Sequence, residues 1–138
     1  MVDTPGTEIS ATAAAEILHL GLACLLDIRQ PFELEMKGML PGALNIPFFS
    51  VKRSFGFQLT AEEQEILDAD EPDDFDAKTF ITQINGLRQR HDCILLVVCN
   101  SGQRSLHATR LLREMGYGRT FSVRGGFCEL DGLLNTPA

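Results

Sequence analysis

The spacing of apolar positions changes several times along the chain, and each change marks a new element. Ser10 stands where a helix N-cap belongs, and Ala13, Ile17 and Leu20 then recur at helical spacing up to Gly21. The run Leu22-Ala23-Cys24-Leu25-Leu26-Asp27-Ile28 is apolar until Asp27, the pattern of a strand buried on both faces of a parallel sheet. Gly38 to Pro47, with Pro41-Gly42 inside it, predicts a turn into a short strand over Ala43 to Ile46. From Phe48 to His91 the pattern is helical but uneven. Thr60 and Glu63 make a capping-box signature, and Pro72 with its acidic neighbours breaks that helix. Asp76 is placed to cap another helix, running to about Arg90 with Phe80, Ile84 and Leu87 on one face.

The last third is clearer. Ile94 to Val98 is the strongest buried-strand signal in the chain, and Cys99 ends it. The polar segment Asn100-Ser101-Gly102-Gln103-Arg104 leads into a helix reaching about Met115, with Ala108, Leu111, Leu112 and Met115 on its apolar face and Gly116 as its stop. A strand over Thr120 to Val123, the pair Gly125-Gly126 and a helix over Phe127 to Leu134 complete the pattern. Strands alternating with helices predict an α/β fold with a mostly parallel sheet. At 138 residues the expected organisation is a single domain, 1–138, carrying an acidic helical insertion around 50–90.

Composition narrows the functions. Nineteen acidic against twelve basic residues give a formal net charge of −7, which speaks against nucleic acid and against an anionic membrane surface as partners. The longest strongly apolar run, Cys93 to Cys99, is far short of a bilayer span. Residues Met1 to Glu8 carry neither a basic nor an apolar leader region, so a cytoplasmic location is expected, where Cys24, Cys93, Cys99 and Cys128 persist as thiols. No Cys-x-x-Cys occurs and His19, His91 and His107 are scattered, so neither a metal nor a cofactor is expected.

One cysteine has chemistry around it. A thiol at the carboxyl end of a central strand, before a short loop into a helix, lies where open α/β sheets bind ligands. Successive N–H groups of such a loop form an anion-binding nest, and the positive end of the next helix adds to that field. A thiol there loses its proton more readily and becomes nucleophilic. Gly102 frees the loop backbone, and Arg104 brings a permanent charge with planar donors suited to an oxyanion. Cys24, Cys93 and Cys128 are expected to be packing residues.

Cys99-Asn100-Ser101-Gly102-Gln103-Arg104-Ser105 resembles the active-site loop Cys-x-x-Gly-x-Arg-Ser of single-domain rhodaneses. Asp27-Ile28-Arg29-Gln30-Pro31-Phe32-Glu33, continuing through Gly38 to Pro47, resembles the family's first signature, and Val123-Arg124-Gly125-Gly126 its C-terminal one. The three anchors stretch from about Leu22 to Leu130. Met39 stands where the family usually has histidine, and Leu130 where it often has tryptophan. The resemblance implies a rhodanese-like open sheet with helices on both faces and a sulfurtransferase activity. In it the Cys99 thiolate takes sulfur from a small anionic donor such as thiosulfate as a persulfide, then passes it to a thiol or cyanide. A protein donor or acceptor is also compatible with it. Asn100, Ser101, Gly102, Gln103, Arg104 and Ser105 are then the expected anion-binding residues. Arg104 either orients the donor's oxygens or holds the loop. Asp27, Arg29 and Glu33 resemble the family's buried charge cluster, with Asp27 and Arg29 supporting the site from behind, and Arg124 is expected near the loop.

Loop length separates two chemistries. The tyrosine phosphatases that share this cysteine–arginine logic place five residues between the two, and here four intervene. Sulfur transfer is favoured over phosphate or arsenate chemistry. A protein persulfide carrier and a non-catalytic interaction module are the alternatives. Nine acids between Glu62 and Asp76 account for the negative charge, and without them the chain is at +2. That stretch is expected to be a solvated surface insertion, or else a docking surface for a basic partner. Arg104, Arg110, Arg113, Arg119 and Arg124 predict a locally cationic mouth.

Overall fold

The computed structural model describes residues 6–49, 59–87 and 94–135. Its elements are β1 (Glu8–Ile9), α1 (Ala11–His19), β2 (Ala23–Asp27), α2 (Pro31–Lys37), β3 (Leu44–Asn45), α3 (Ala61–Ala69), α4 (Asp74–Gly86), β4 (Ile94–Val98), α5 (Gln103–Glu114), β5 (Thr120–Val123) and α6 (Gly126–Leu134). The strands form one sheet in the order β1-β5-β4-β2-β3, every pairing parallel. Parallel neighbours need crossover connections, which α2 supplies between β2 and β3 and α5 between β4 and β5.

β4 lies at the centre with β2 and β5 on either side, and is apolar throughout because both its faces are covered. Side chains alternate along it. Leu95, Val97 and Cys99 join a core with Leu67 of α3, Phe80 and Ile84 of α4, and Ala108 and Leu112 of α5. Leu96 and Val98 enter a second core with Ala11, Ala14 and Ala15 of α1 and Phe127 and Leu130 of α6. Each leucine, isoleucine, valine or phenylalanine among them, fully buried, contributes about 1.5–3 kcal/mol. The alternation therefore sets which layer Cys99 faces: α3, α4 and α5.

Several expectations change. α1 is capped by Ser10, but its buried face is Ala11, Ala14 and Ala15, while Leu20 is 71% exposed. Small residues sit against the sheet because they allow close approach. Asp73 caps α4, and Asp76 is its N3 partner in a reciprocal capping box. Leu111 and Met115 of the α5 face pack only partly buried at the edge of the core. The strand β1 and the helix α2 carry no apolar periodicity long enough to read. The sign of α2 was Pro31 at its first turn between Gln30 and Glu33, which close a capping box. α3 and α4 of the acidic region turn Leu67, Phe80 and Ile84 into the first core. His91, Cys93 and the expected helix end at Arg90 lie outside the described residues.

Candidate active site

β4 delivers Cys99 to its carboxyl end, and the chain turns through 100–102 into α5. Gly102 caps α5 in the left-handed region at φ +107°, a conformation that costs L-residues strain. The turn points two amides at the sulfur: Gly102 N–H and Ser105 N–H donate to Cys99 Sγ at 3.2 and 3.3 Å. Ser105 Oγ lies 3.4 Å from the same sulfur, 3.2 Å from Gly102 O and 2.7 Å from Ser122 Oγ of β5. Cys99 is fully buried. Convergent amides and the start of a helix form a cradle for negative charge on that sulfur.

The turn before α6 holds the cradle from behind. Phe127 N–H donates to Cys99 O at 2.8 Å and Cys128 N–H to Asn100 O at 3.4 Å. A Cβ on Gly126 would meet Cys99 O at 2.4 Å and Asn100 O at 2.6 Å, so only glycine permits this approach. Asp27 and Arg29 make a fully buried ion pair at 2.7 Å. The Arg29 guanidinium also donates to Gly38 O and lies 4.0 Å over the Phe127 ring. Their link to Cys99 runs through Phe127. Arg124 is exposed, beside Glu8 at 4.0 Å, while its neighbour Gly125 abuts Gly102.

Arg104 faces inward. Its Nη1 and Nη2 donate to Glu33 Oε1 and Oε2, both at 2.8 Å, and Nη2 also reaches Asp68 Oδ1 at 3.0 Å. Both side chains of the Arg104–Glu33 pair have zero exposure. Burial disfavours the Arg104 charge, but the hydrogen bond and charge of Glu33, then the charges of Cys99 and Asp68, outweigh it and raise its pKa. Burial likewise works against the Glu33 carboxylate, and Arg104, with the Gln30 N–H and Gln64, overcomes it and lowers the pKa below its ordinary 4.5. Of the two readings of Arg104, these contacts of its terminal nitrogens fit the one in which it holds the loop.

The expected loop residues divide into two sets. Gly102 and Ser105 face the sulfur. Asn100 Nδ2 and Ser101 Oγ turn away to Asp68 Oδ2, each at 3.1 Å, while Asn100 Oδ1 accepts from Lys37 at 3.1 Å. Gln103 is exposed at the rim. Sequence reasoning missed Asp68 as a site residue, reading its stretch as solvated surface, yet it is only 7% exposed. The available signal was positional: Gln64, Leu67 and Asp68 lie at i, i+3 and i+4, the buried face of α3. Ser122 was also missed, as one hydroxyl within a buried strand.

Among the described residues, acidic side chains line the groove beside the loop, where the sequence predicted a cationic mouth. An open groove of about 720 Å³ beside the loop is lined by Glu62, Glu65, Ile66, Asp68 and Ala69 of α3 opposite Ser101 and Gln103. Arg113 is turned to Thr120 O and Gly6 O, and Arg104 and Arg110 line an adjoining cavity with Asp68, Asp70 and Glu71. The reason is that α3 lays its acidic side along the opening. Cys128, expected to pack, is exposed, with its Sγ 3.8 Å from Asn100 Oδ1. His107 is exposed, as its helical position implied, and edges onto Phe48.

Comparison with known proteins agrees with this geometry. The family model described as Rhodanese-like domain matches residues 10–131. A human protein named thiosulfate:glutathione sulfurtransferase is 29% identical over 121 residues, 88% of this chain and 90% of that protein. The solved structure of the human single-domain sulfurtransferase TSTD1 superposes with a TM-score of 0.60 at 27% identity, covering 91% of this chain and 96% of that one. The Saccharomyces cerevisiae single-domain sulfurtransferase RDL2 has the same fold, with a TM-score of 0.60 at 20% identity and full coverage of both chains.

Proposed function

The chain belongs to the rhodanese-like domain family, and on that premise we propose that it is a sulfurtransferase whose Cys99 carries the transferred sulfur as a persulfide. The observation that carries this reading is the pair of amides, Gly102 N–H and Ser105 N–H, directed at Cys99 Sγ. In the first step the Cys99 thiolate attacks the outer sulfur of a donor such as thiosulfate. The donor's S–S bond breaks, sulfite leaves with the bonding pair, and Cys99 holds a terminal sulfur. In the second, an acceptor thiolate or cyanide attacks that sulfur and Cys99 leaves as thiolate. The loop amides stabilise the anionic sulfur in both steps. With the terminal nitrogens of Arg104 and Lys37 engaged by side chains of the scaffold, the donor is left to the amides, the Ser105 hydroxyl and the exposed rim at Gln103.

Intact-mass measurement after incubation with thiosulfate tests this. One sulfur should be gained on Cys99 and lost on adding a thiol, and Cys99→Ser should gain none. No addition from thiosulfate, mercaptopyruvate or a protein persulfide overturns the reading.

A second reading is favoured by the acidic groove. Its size suits a larger ligand than a small oxyanion, and its carboxylates attract positive charge. Under this reading the sulfur is relayed to or from a basic protein. Rapid uptake from a protein persulfide with slow thiosulfate turnover would select it.

A further inference from the structure

The loop that cradles Cys99 is fastened to α3 by one carboxylate. Asp68 Oδ2 accepts from Asn100 Nδ2 and Ser101 Oγ, the first two residues after the cysteine. Asp68 Oδ1 accepts from Arg104 Nη2 at 3.0 Å and from Gln64 Nε2 at 2.9 Å. Both ends of the segment 100–104 are thus tied to a single side chain, while Gly102 between them directs its N–H at the sulfur. The carboxylate has four donors and little exposure, so its position is set by packing rather than by solvent.

The charges around it balance. Glu33 and Lys37 approach from α2, Asp68 from α3 and Arg104 from α5, two of each sign. Gln64, also of α3, bridges Glu33, Lys37 and Asp68. A balanced network adds little net field at Cys99, and its contribution is geometric. The three-residue Cys-to-Gly turn is short, and a small displacement of Asn100 or Ser101 swings the Gly102 amide away from Sγ. Misplacing such a donor costs catalysis far more than it costs folding.

We propose that Asp68 is a positioning residue for sulfur transfer, holding the loop so that Gly102 and Ser105 N–H stay directed at Cys99. The proposal rests on the sulfurtransferase reading and adds to it a residue outside the sequence signatures of the loop. α3 is then a working part of the site, a splint along the catalytic loop.

The test uses Asp68→Asn and Asp68→Glu in the full chain. Asparagine keeps an acceptor for Arg104 but presents an amide to Asn100 and Ser101. Glutamate keeps the charge and moves the carboxylate by one methylene. Both should lower kcat with thiosulfate at least tenfold and leave KM within about threefold, with Glu71→Gln as an unaltered control. Ser101→Ala should lower kcat less, and adding it to Asp68→Asn should cost nothing more, because the shared contact is already gone. Thermal melts decide whether lost activity is lost folding. Wild-type kcat in both variants, strict additivity with Ser101→Ala, or a loss of activity matched by the unfolded fraction overturns the proposal. Cys99 alkylation by iodoacetamide at fixed pH gives a readout without sulfur. Slower alkylation in the Asp68 variants supports positioning even if no donor loads Cys99, and an unchanged rate counts against it.

Discussion

Arg104 and Glu33 stand 71 positions apart in the chain and meet as a two-pronged buried ion pair, both hydrogen bonds 2.8 Å long. The pair binds the first turn of α5 to the first turn of α2 and so couples two separate sequence signatures into one site. Breaking a buried pair from one side leaves an uncompensated charge and typically costs about 3–5 kcal/mol. Glu33→Gln should lower stability to chemical denaturation by that amount and slow sulfur uptake by Cys99. Arg104→Lys keeps the charge but loses the fork, and should also slow uptake, with a smaller loss of stability.

The same pair sets part of the acid limit. Glu33 has a folded pKa below its ordinary 4.5, so the unfolded chain binds its proton at a higher pH than the folded one. Its stabilising contribution is complete above about 4.5 and disappears as pH falls through the lower folded value. Denaturation midpoints of wild type and Glu33→Gln should therefore converge as pH drops below 4.5. A gap that stays constant to pH 3 would contradict this.

Two glycines of α6 should respond oppositely to alanine. At Gly126, φ is +58° and a Cβ would press on the carbonyls of Cys99 and Asn100. Gly126→Ala should destabilise by at least about 1–3 kcal/mol from backbone strain alone and strip the loop of its support. At Gly132 nothing lies within 4 Å of the added carbon, and the backbone is helical. Gly132→Ala should stabilise by about 0.4–1 kcal/mol and leave sulfur chemistry unchanged. Calorimetry and mass-detected loading check both.

The groove along α3 makes a charge prediction. Glu62 and Glu65 line it, and neither makes a hydrogen bond to the loop among the described residues. Glu62→Gln with Glu65→Gln should leave stability within about 0.5 kcal/mol, as surface changes do. Thiosulfate loading should be unchanged or faster. Transfer to or from a basic protein should slow, and the wild-type rate should fall with added salt while the variant's responds less.

Strand β4, the end of it at Cys99 and the glycine-containing turn were legible because each is written locally: a run of buried residues, then polar ones, then helical spacing. β5, the N-cap of α1 and the capping box of α3 were legible for the same reason. Asp68 was not, because among nine neighbouring acids nothing in its own identity separates a carboxylate facing Arg104 from one facing water. Cys128 illustrates the converse: an apolar-looking helix position turned outward, where only the packing of α6 on α1 decides which side is buried.

Local order thus determined the place of Cys99 at the end of β4, the short loop from Cys99 to Arg104 and the alternating α/β pattern, since backbone preference and burial act between near neighbours. The partners of Arg104, the role of the acidic helix and the sign of charge at the mouth belong to the tertiary structure. They arise from α2 and α3 meeting α5 across long stretches of chain, and a contact's energy depends on that meeting rather than on the residues taken separately.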